Sequence, residues 1–220
     1  IGNIRFADMN DFKSVKGQVT EKTCAVLFET LQGEGGIYPA EKGFMEQVKA
    51  LCEERDILLI LDEIQCGMGR TGEMFAWQHY GIKPDIMACA KAIGGGVPVG
   101  DHGTTYGGNP FACQAVSKML DLFEENDIIG HVQKIAPCLE QCLNELVSAF
   151  DFVKARRGLG LMQGLECSVP VGGVISGCLE KGLVLINAGS NILRFVPPLV
   201  IEKEHVDEMA EILRTVLADQ

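Results

Sequence analysis

Ile57-Leu58-Leu59-Ile60-Leu61-Asp62-Glu63 is the stretch that decides the fold. Five aliphatic residues in a row end in two acids. A strand that is apolar on both sides of its pleat is expected in a parallel sheet with helices on both faces. Working outward, Cys24 to Glu29 (CAVLFE) is a second short apolar run ending in an acid. Ile86 to Ala90 (IMACA) is a third, followed by Lys91. Between the first two runs, Glu41 to Arg55 has helical spacing, with Phe44, Val48 and Leu51 on one face. Repeated strand-helix units of this kind predict an α/β fold with a mostly parallel sheet.

Further along, Asn109-Pro110 opens a helix running to about Glu125. Asn suits the N-cap, where it is worth about 1 kcal/mol over Ala, and Pro suits the first helical position. Asn126-Asp127 interrupts the pattern before a second helix, Ile128 to Phe150. Short strands are expected at Leu161 to Cys167, Leu183 to Asn187 and Ile192 to Val196, and a last helix at Lys203 to Ala218. This divides the chain at residue 125: 1–125 reads as part of a large α/β domain and 126–220 as a smaller α+β domain.

The 220 residues are 47% hydrophobic and 22% charged, enough apolar mass for a core. A net charge of −11 argues against nucleic acid or an anionic membrane as partner. No apolar run reaches the length of a membrane span. Nine cysteines, an odd count without a CxxC pair, argue against a disulfide framework or a zinc site. Cys138 and Cys142 are spaced to share a helix face. Free thiols fit a cytoplasmic location. The four histidines show no metal-ligand spacing, and no metal is expected. The sequence begins at Ile1 rather than Met, inside what reads as an ongoing domain.

Three apolar strands thus end in Glu29, in Asp62-Glu63 and near Lys91. In open parallel sheets, ligands bind beyond the carboxyl ends of the strands. A lysine held in an apolar setting has a lowered pKa, and its neutral amine attacks carbonyls. Gly94, Gly95 and Gly96 let backbone approach a ligand closely. Asp62 supplies a complementary group: a buried carboxylate beside a pyridine nitrogen keeps it protonated, the condition for the ring to act as an electron sink.

Several motifs together carry a family resemblance: ETLQGEGG (29–36), LDEIQ (61–65), GRTG (69–72), AKA (90–92), GTTYGGNP (103–110) and LRFVPPL (193–199). With Asp62 and Lys91 standing 29 residues apart, this set resembles the class III pyridoxal-phosphate (PLP)-dependent aminotransferases. DEIQCGMGRTG (62–72) and INAGSNILRFVPPL (186–199) are most similar to the acetylornithine branch of that class. The resemblance implies the PLP-dependent transferase fold (fold type I, like aspartate aminotransferase) and a homodimer with a shared active site. It implies transfer of the terminal amino group of N-acetylornithine to 2-oxoglutarate, a step of arginine biosynthesis. Lys91 would then hold PLP as a Schiff base and shuttle the proton. Asp62 would pair with the pyridine nitrogen, and Gln65 would lie near the 3′ oxygen. Thr105, with Thr104 beside it, would reach the cofactor phosphate of the neighbouring subunit. Arg194 would bind the substrate carboxylate, and Glu34 would pair with Arg194 when that carboxylate is absent.

The chain also departs from the family pattern. The N-terminal half, with the glycine-rich turn and the aromatic that stacks on the cofactor, has no counterpart here. The junction Val99-Gly100-Asp101-His102 is short. The competing readings are another class III aminotransferase (ornithine, succinylornithine or 4-aminobutyrate), an aminomutase on the same scaffold, and an inactive fragment. Arg70, Trp77 and Phe75 are expected to pack rather than react.

Overall fold

The structure, a computed structural model, describes residues 2–95 and 109–219. The chain opens with α1 (Phe12–Gln18), whose N-cap Asp11 accepts hydrogen bonds from the Lys13 and Ser14 amides. Then come β1 (Ala25–Glu29), a small hairpin of β2 (Leu31–Gln32) and β3 (Tyr38–Pro39), α2 (Lys42–Arg55), β4 (Leu58–Asp62) and β5 (Ile86–Ala88). Two 3₁₀ turns, Ala76–Tyr80 and Lys91–Gly94, flank β5. The remainder is α3 (Pro110–Glu125), α4 (Ile128–Ala149), β6 (Val153–Leu159), β7 (Met162–Cys167), α5 (Gly172–Glu180), β8 (Ile186–Asn187), β9 (Ile192–Phe195) and α6 (Lys203–Ala218).

β1, β4 and β5 form a parallel sheet with β4 in the middle, as the apolar runs predict. α2 covers one face, where Phe44, Val48 and Leu51 pack with Leu59, Leu61 and the half-buried Val26 and Phe28. Among the described residues the other face is left uncovered. Leu27, Leu58 and Ile86 are 64%, 44% and 48% exposed, and they share the face opposite α2. Pleating sends alternate residues to opposite sides, so a continuous apolar run here has one buried and one bare side. That bare side is what a doubly covered sheet leaves when only one helical layer is at hand.

The second sheet is antiparallel, in the order β6-β7-β9-β8. α4, α5 and α6 pack against it around Leu139, Leu143, Leu165 and Leu193. The helix predicted from Asn109-Pro110 is α3, and the Asn109 carboxamide accepts from the Ala112 amide at 2.9 Å. Asp127, in the left-handed region, caps α4 by accepting from the Gly130 amide. Sequence patterning places α4, β7, β9 and α6 to within a residue or two but misses α1, β6 and α5. Their apolar residues are too few or too interrupted by charge and glycine: Val153–Leu159 (VKARRGL) carries three basic residues.

A small third cluster, Leu31, Ile37, Met162, Ala188 and Ile192 among its members, ties the β2-β3 hairpin to the second sheet. It brings the loop at 33–37 alongside β9. Among the described residues no helix is long and apolar enough to cross a membrane, and no cluster of ligands could hold a metal ion. Cys138 and Cys142 both lie in α4, and the nine cysteines are unbridged.

Candidate functional site

The register of the parallel sheet sets Glu29 beside Asp62 and Asp62 beside Ala88, so the three strands end level with one another. Lys91 follows three residues past Ala88, at the start of its 3₁₀ turn. It is exposed and has φ 50°. A non-glycine residue in that region is uncommon, and such strained residues cluster at functional sites. Among the described residues no carboxylate lies within ion-pair distance of the Lys91 ammonium.

The two adjacent acids have separate surroundings. Asp62 is half-buried, and its Oδ1 accepts from the Ile64 amide at 2.9 Å. Among the described residues nothing donates to its Oδ2. Glu63 is 2% exposed and fully engaged. Its Oε1 accepts from the Thr30 hydroxyl and the Trp77 amide, both at 3.0 Å. Its Oε2 accepts from the Ala76 amide at 2.9 Å and from the Cys66 thiol at 3.3 Å. Burial, with the neighbouring Glu63 charge, pushes the Cys66 thiol up, so it stays protonated. Glu63 is therefore an internal fastener between the end of β1, the segment after β4 and the turn at Ala76. Glu29 has a comparable local duty, accepting from the Gly33 amide at 3.0 Å.

The loop between β2 and β3 carries Glu34. Its Oε1 accepts from Arg194 Nη1 at 2.7 Å and from Gln65 Nε2 at 3.2 Å. Arg194 lies on β9, 160 residues away in sequence, paired with Gly164 of β7. The side chain of Arg194 is 11% exposed and that of Glu34 is 68% exposed. The hydrogen bond from Arg194 holds the Glu34 carboxyl below the usual carboxylate range, helped by Gln65 and, more weakly, by the charge on Lys91. Arg194 Nε is buried and, among the described residues, has no hydrogen-bond partner. Gly33 lies close under this pair: an added Cβ would come 2.6 Å from Gln65 Oε1, so the Gln65 side chain would have to shift. Glu34, Gln65 and Arg194 are thus brought together, and Asp62 and Lys91 stand beside them at the level ends of the sheet. Thr104 and Thr105 lie outside the described residues.

Arg70 packs as expected. Its guanidinium donates to the carbonyls of Pro197 and Leu161, and burial pulls its pKa down to about 10. Trp77 is half-buried beneath α2 with its neighbours Tyr80 and Ile82. His79 and His131 bond backbone carbonyls of Thr71 and Ile201. The surface grooves between α4 and α6, lined by Gln141, Glu145 and Arg214, contain none of the site residues. Sequence reading overlooks Arg157, a β6 residue whose guanidinium sits 4.2 Å from the Tyr38 ring centre. No motif marks it, and β6 itself escapes the patterning.

Residues 5–217 match the class III aminotransferase family, and the chain belongs to it. It is 41% identical to the acetylornithine aminotransferase of Methanocaldococcus jannaschii, across 98% of this chain and 58% of that one. The N-acetylornithine aminotransferase of Stenotrophomonas maltophilia superposes with a TM-score of 0.89 at 36% identity, covering 99% of this chain and 63% of the other. The ornithine aminotransferase of Toxoplasma gondii, in which PLP partly occupies the active site, gives a TM-score of 0.89 at 27% identity, over 96% and 55% of the two chains. The chain therefore spans a little over half the length of these relatives. Its alignment with the M. jannaschii enzyme extends over 230 positions, and 230 against 220 residues leaves at least 10 with no counterpart here. The short junction expected at Gly100-Asp101 lies outside the described residues.

Proposed function

We propose that the protein is a PLP-dependent aminotransferase that moves the terminal amino group of N-acetylornithine to 2-oxoglutarate, acting in the cytoplasm in arginine biosynthesis. The observation that carries this reading is the Glu34–Arg194 pair beside Asp62 and Lys91. PLP, when bound, supplies an electron sink for the substrate carbon that loses its proton. The residues present fit it. Among the described residues nothing donates to Asp62 Oδ2, which would face a protonated pyridine nitrogen, and no carboxylate pairs with the Lys91 amine. Lys91 would hold the cofactor covalently and afterwards carry the proton to and from the substrate carbon. Gln65 would sit near the 3′ oxygen, and Thr104 and Thr105 would take the phosphate from the partner subunit of a homodimer. The division of the chain at residue 125 into large and small domains is part of the same proposal.

Magnitudes support Glu34 as an exchangeable cover for Arg194. The Arg194 side chain is only 11% exposed, so it favours a carboxylate partner. A pair with one well-exposed partner contributes only about 0–1 kcal/mol. An incoming substrate carboxylate therefore displaces Glu34 at little cost. With Glu34 in place the site suits the amino donor, and with Glu34 displaced Arg194 holds a dicarboxylate. The likeness to ornithine aminotransferase keeps a second donor, ornithine, within the same reading.

A visible absorption titration tests the proposal. Added PLP should give a band that bleaches with N-acetylornithine and returns with 2-oxoglutarate, and Lys91→Ala should abolish it. Bleaching by ornithine alone would reassign the donor. No band with the native protein would refute the cofactor assignment.

A further inference from the structure

Arg157 and Arg194 belong to one row of the second sheet. Arg157 on β6 pairs with Gly164 on β7, and Gly164 pairs with Arg194 on β9. Directly paired residues face the same way, so two cations flank a glycine. The loop at 33–37 lies across this row. At one end Arg194 holds Glu34. At the other, Arg157 Nη1 approaches the Gly36 carbonyl at 3.5 Å, and its guanidinium stacks on Tyr38, the residue that resumes the hairpin. Glu166 holds Arg157 through an ion pair. Between the arginines, fully buried Ile37 rests over Gly164, where an added Cβ would come within 3.0 Å of Ile37 Cγ1. Ile37 has φ 58°. A β-branched residue is strained there and stays only when its surroundings hold it. The loop is thus clamped rather than slack.

We propose that Arg157 is a positioning residue for Glu34. With Tyr38 it holds the loop where Glu34 covers Arg194, and so sets how readily a dicarboxylate gains access to that arginine. This rests on Arg194 being the carboxylate-binding residue. Arg157 acts through the loop and does not itself touch the substrate.

The test is the affinity of the PLP-loaded protein for glutarate, an unreactive dicarboxylate, by isothermal titration calorimetry at neutral pH. Glu34→Gln should bind about two- to fivefold more tightly than the native protein, the scale of a partly exposed ion pair. Arg194→Ala should bind at least tenfold more weakly. If Arg194→Ala binds as the native protein does, the carboxylate reading fails and the positioning role with it. Given that reading, Tyr38→Leu should tighten binding about twofold in the native background and leave it unchanged with Glu34→Gln. Arg157→Ala also removes a charge, so its effect is taken as the ratio between the two backgrounds, which cancels that loss. That ratio should again be about two. If both variants shift affinity equally in the two backgrounds, or not at all, Arg157 has no positioning role and the Arg194 assignment stands. Thermal unfolding alone would not separate these cases, because a merely structural residue would lower it too.

Discussion

Glu63 and Asp62 are neighbours in sequence, yet their replacement should have opposite consequences. Glu63→Ala removes the acceptor for the Thr30 hydroxyl and for the Ala76 and Trp77 amides. An orphaned buried donor costs about 1–3 kcal/mol. Some of the three will find partial replacements, and the vacated side chain adds a cavity, so the loss should be about 3–6 kcal/mol. Domains are stable by only about 5–15 kcal/mol, so this is a large fraction. Glu63→Gln keeps one oxygen for Thr30 and Trp77 but sets its NH₂ against the Ala76 amide, costing about 1–3 kcal/mol. Asp62→Asn disturbs a single hydrogen bond on a half-buried side chain and should cost under about 1 kcal/mol. Urea unfolding followed by circular dichroism gives all three values, and the single tryptophan, Trp77, reports the Glu63 region directly. Glu63→Ala within about 1 kcal/mol of the native protein would refute the assignment of Glu63 as an internal fastener. Asp62→Asn, by contrast, should stay folded and lose the PLP absorption response.

Further outcomes follow from the same geometry. Gly160→Ala should destabilise strongly, because φ is 56° and the new Cβ would lie 2.5 Å from the Thr71 carbonyl carbon; a melting temperature within a degree or two of native would contradict the packing there. Glu34 has its pKa lowered in the folded state, so its pairing is complete above the ordinary carboxylate range and is lost as pH falls through the depressed value. The side-chain Nε resonance of Arg194 should therefore titrate below the usual glutamate midpoint, and Glu34→Gln should abolish that titration. A midpoint at the ordinary value would mean the pair does not form in solution.

Much of this was legible in the chain because strands with continuous apolar runs announce themselves. Cys24 to Glu29, Ile57 to Glu63 and Ile86 to Ala90 mark the parallel sheet, and their last residues point to its carboxyl edge. Asn109-Pro110 marks the start of α3 because capping is a local interaction. β6 was not legible: Lys154, Arg156 and Arg157 hide a strand whose pairing with β7 is settled by a distant partner. The bare side of the parallel sheet was not legible either, since an apolar run looks the same with one helical layer or two.

The sequence by itself determined the chemistry on offer: an acid and a lysine at strand ends, an arginine in LRFVPPL, and motifs specific enough to give a family. Tertiary structure decided which acid does what. Asp62 follows the pleat of Leu58 and Ile60 toward the uncovered side, while Glu63 turns inward to the Thr30 hydroxyl and the turn at Ala76. It also decided that Glu34 meets Arg194 and that Arg157 holds the loop between them. These contacts span more than a hundred residues, and the register of paired strands, which no local pattern encodes, sets them.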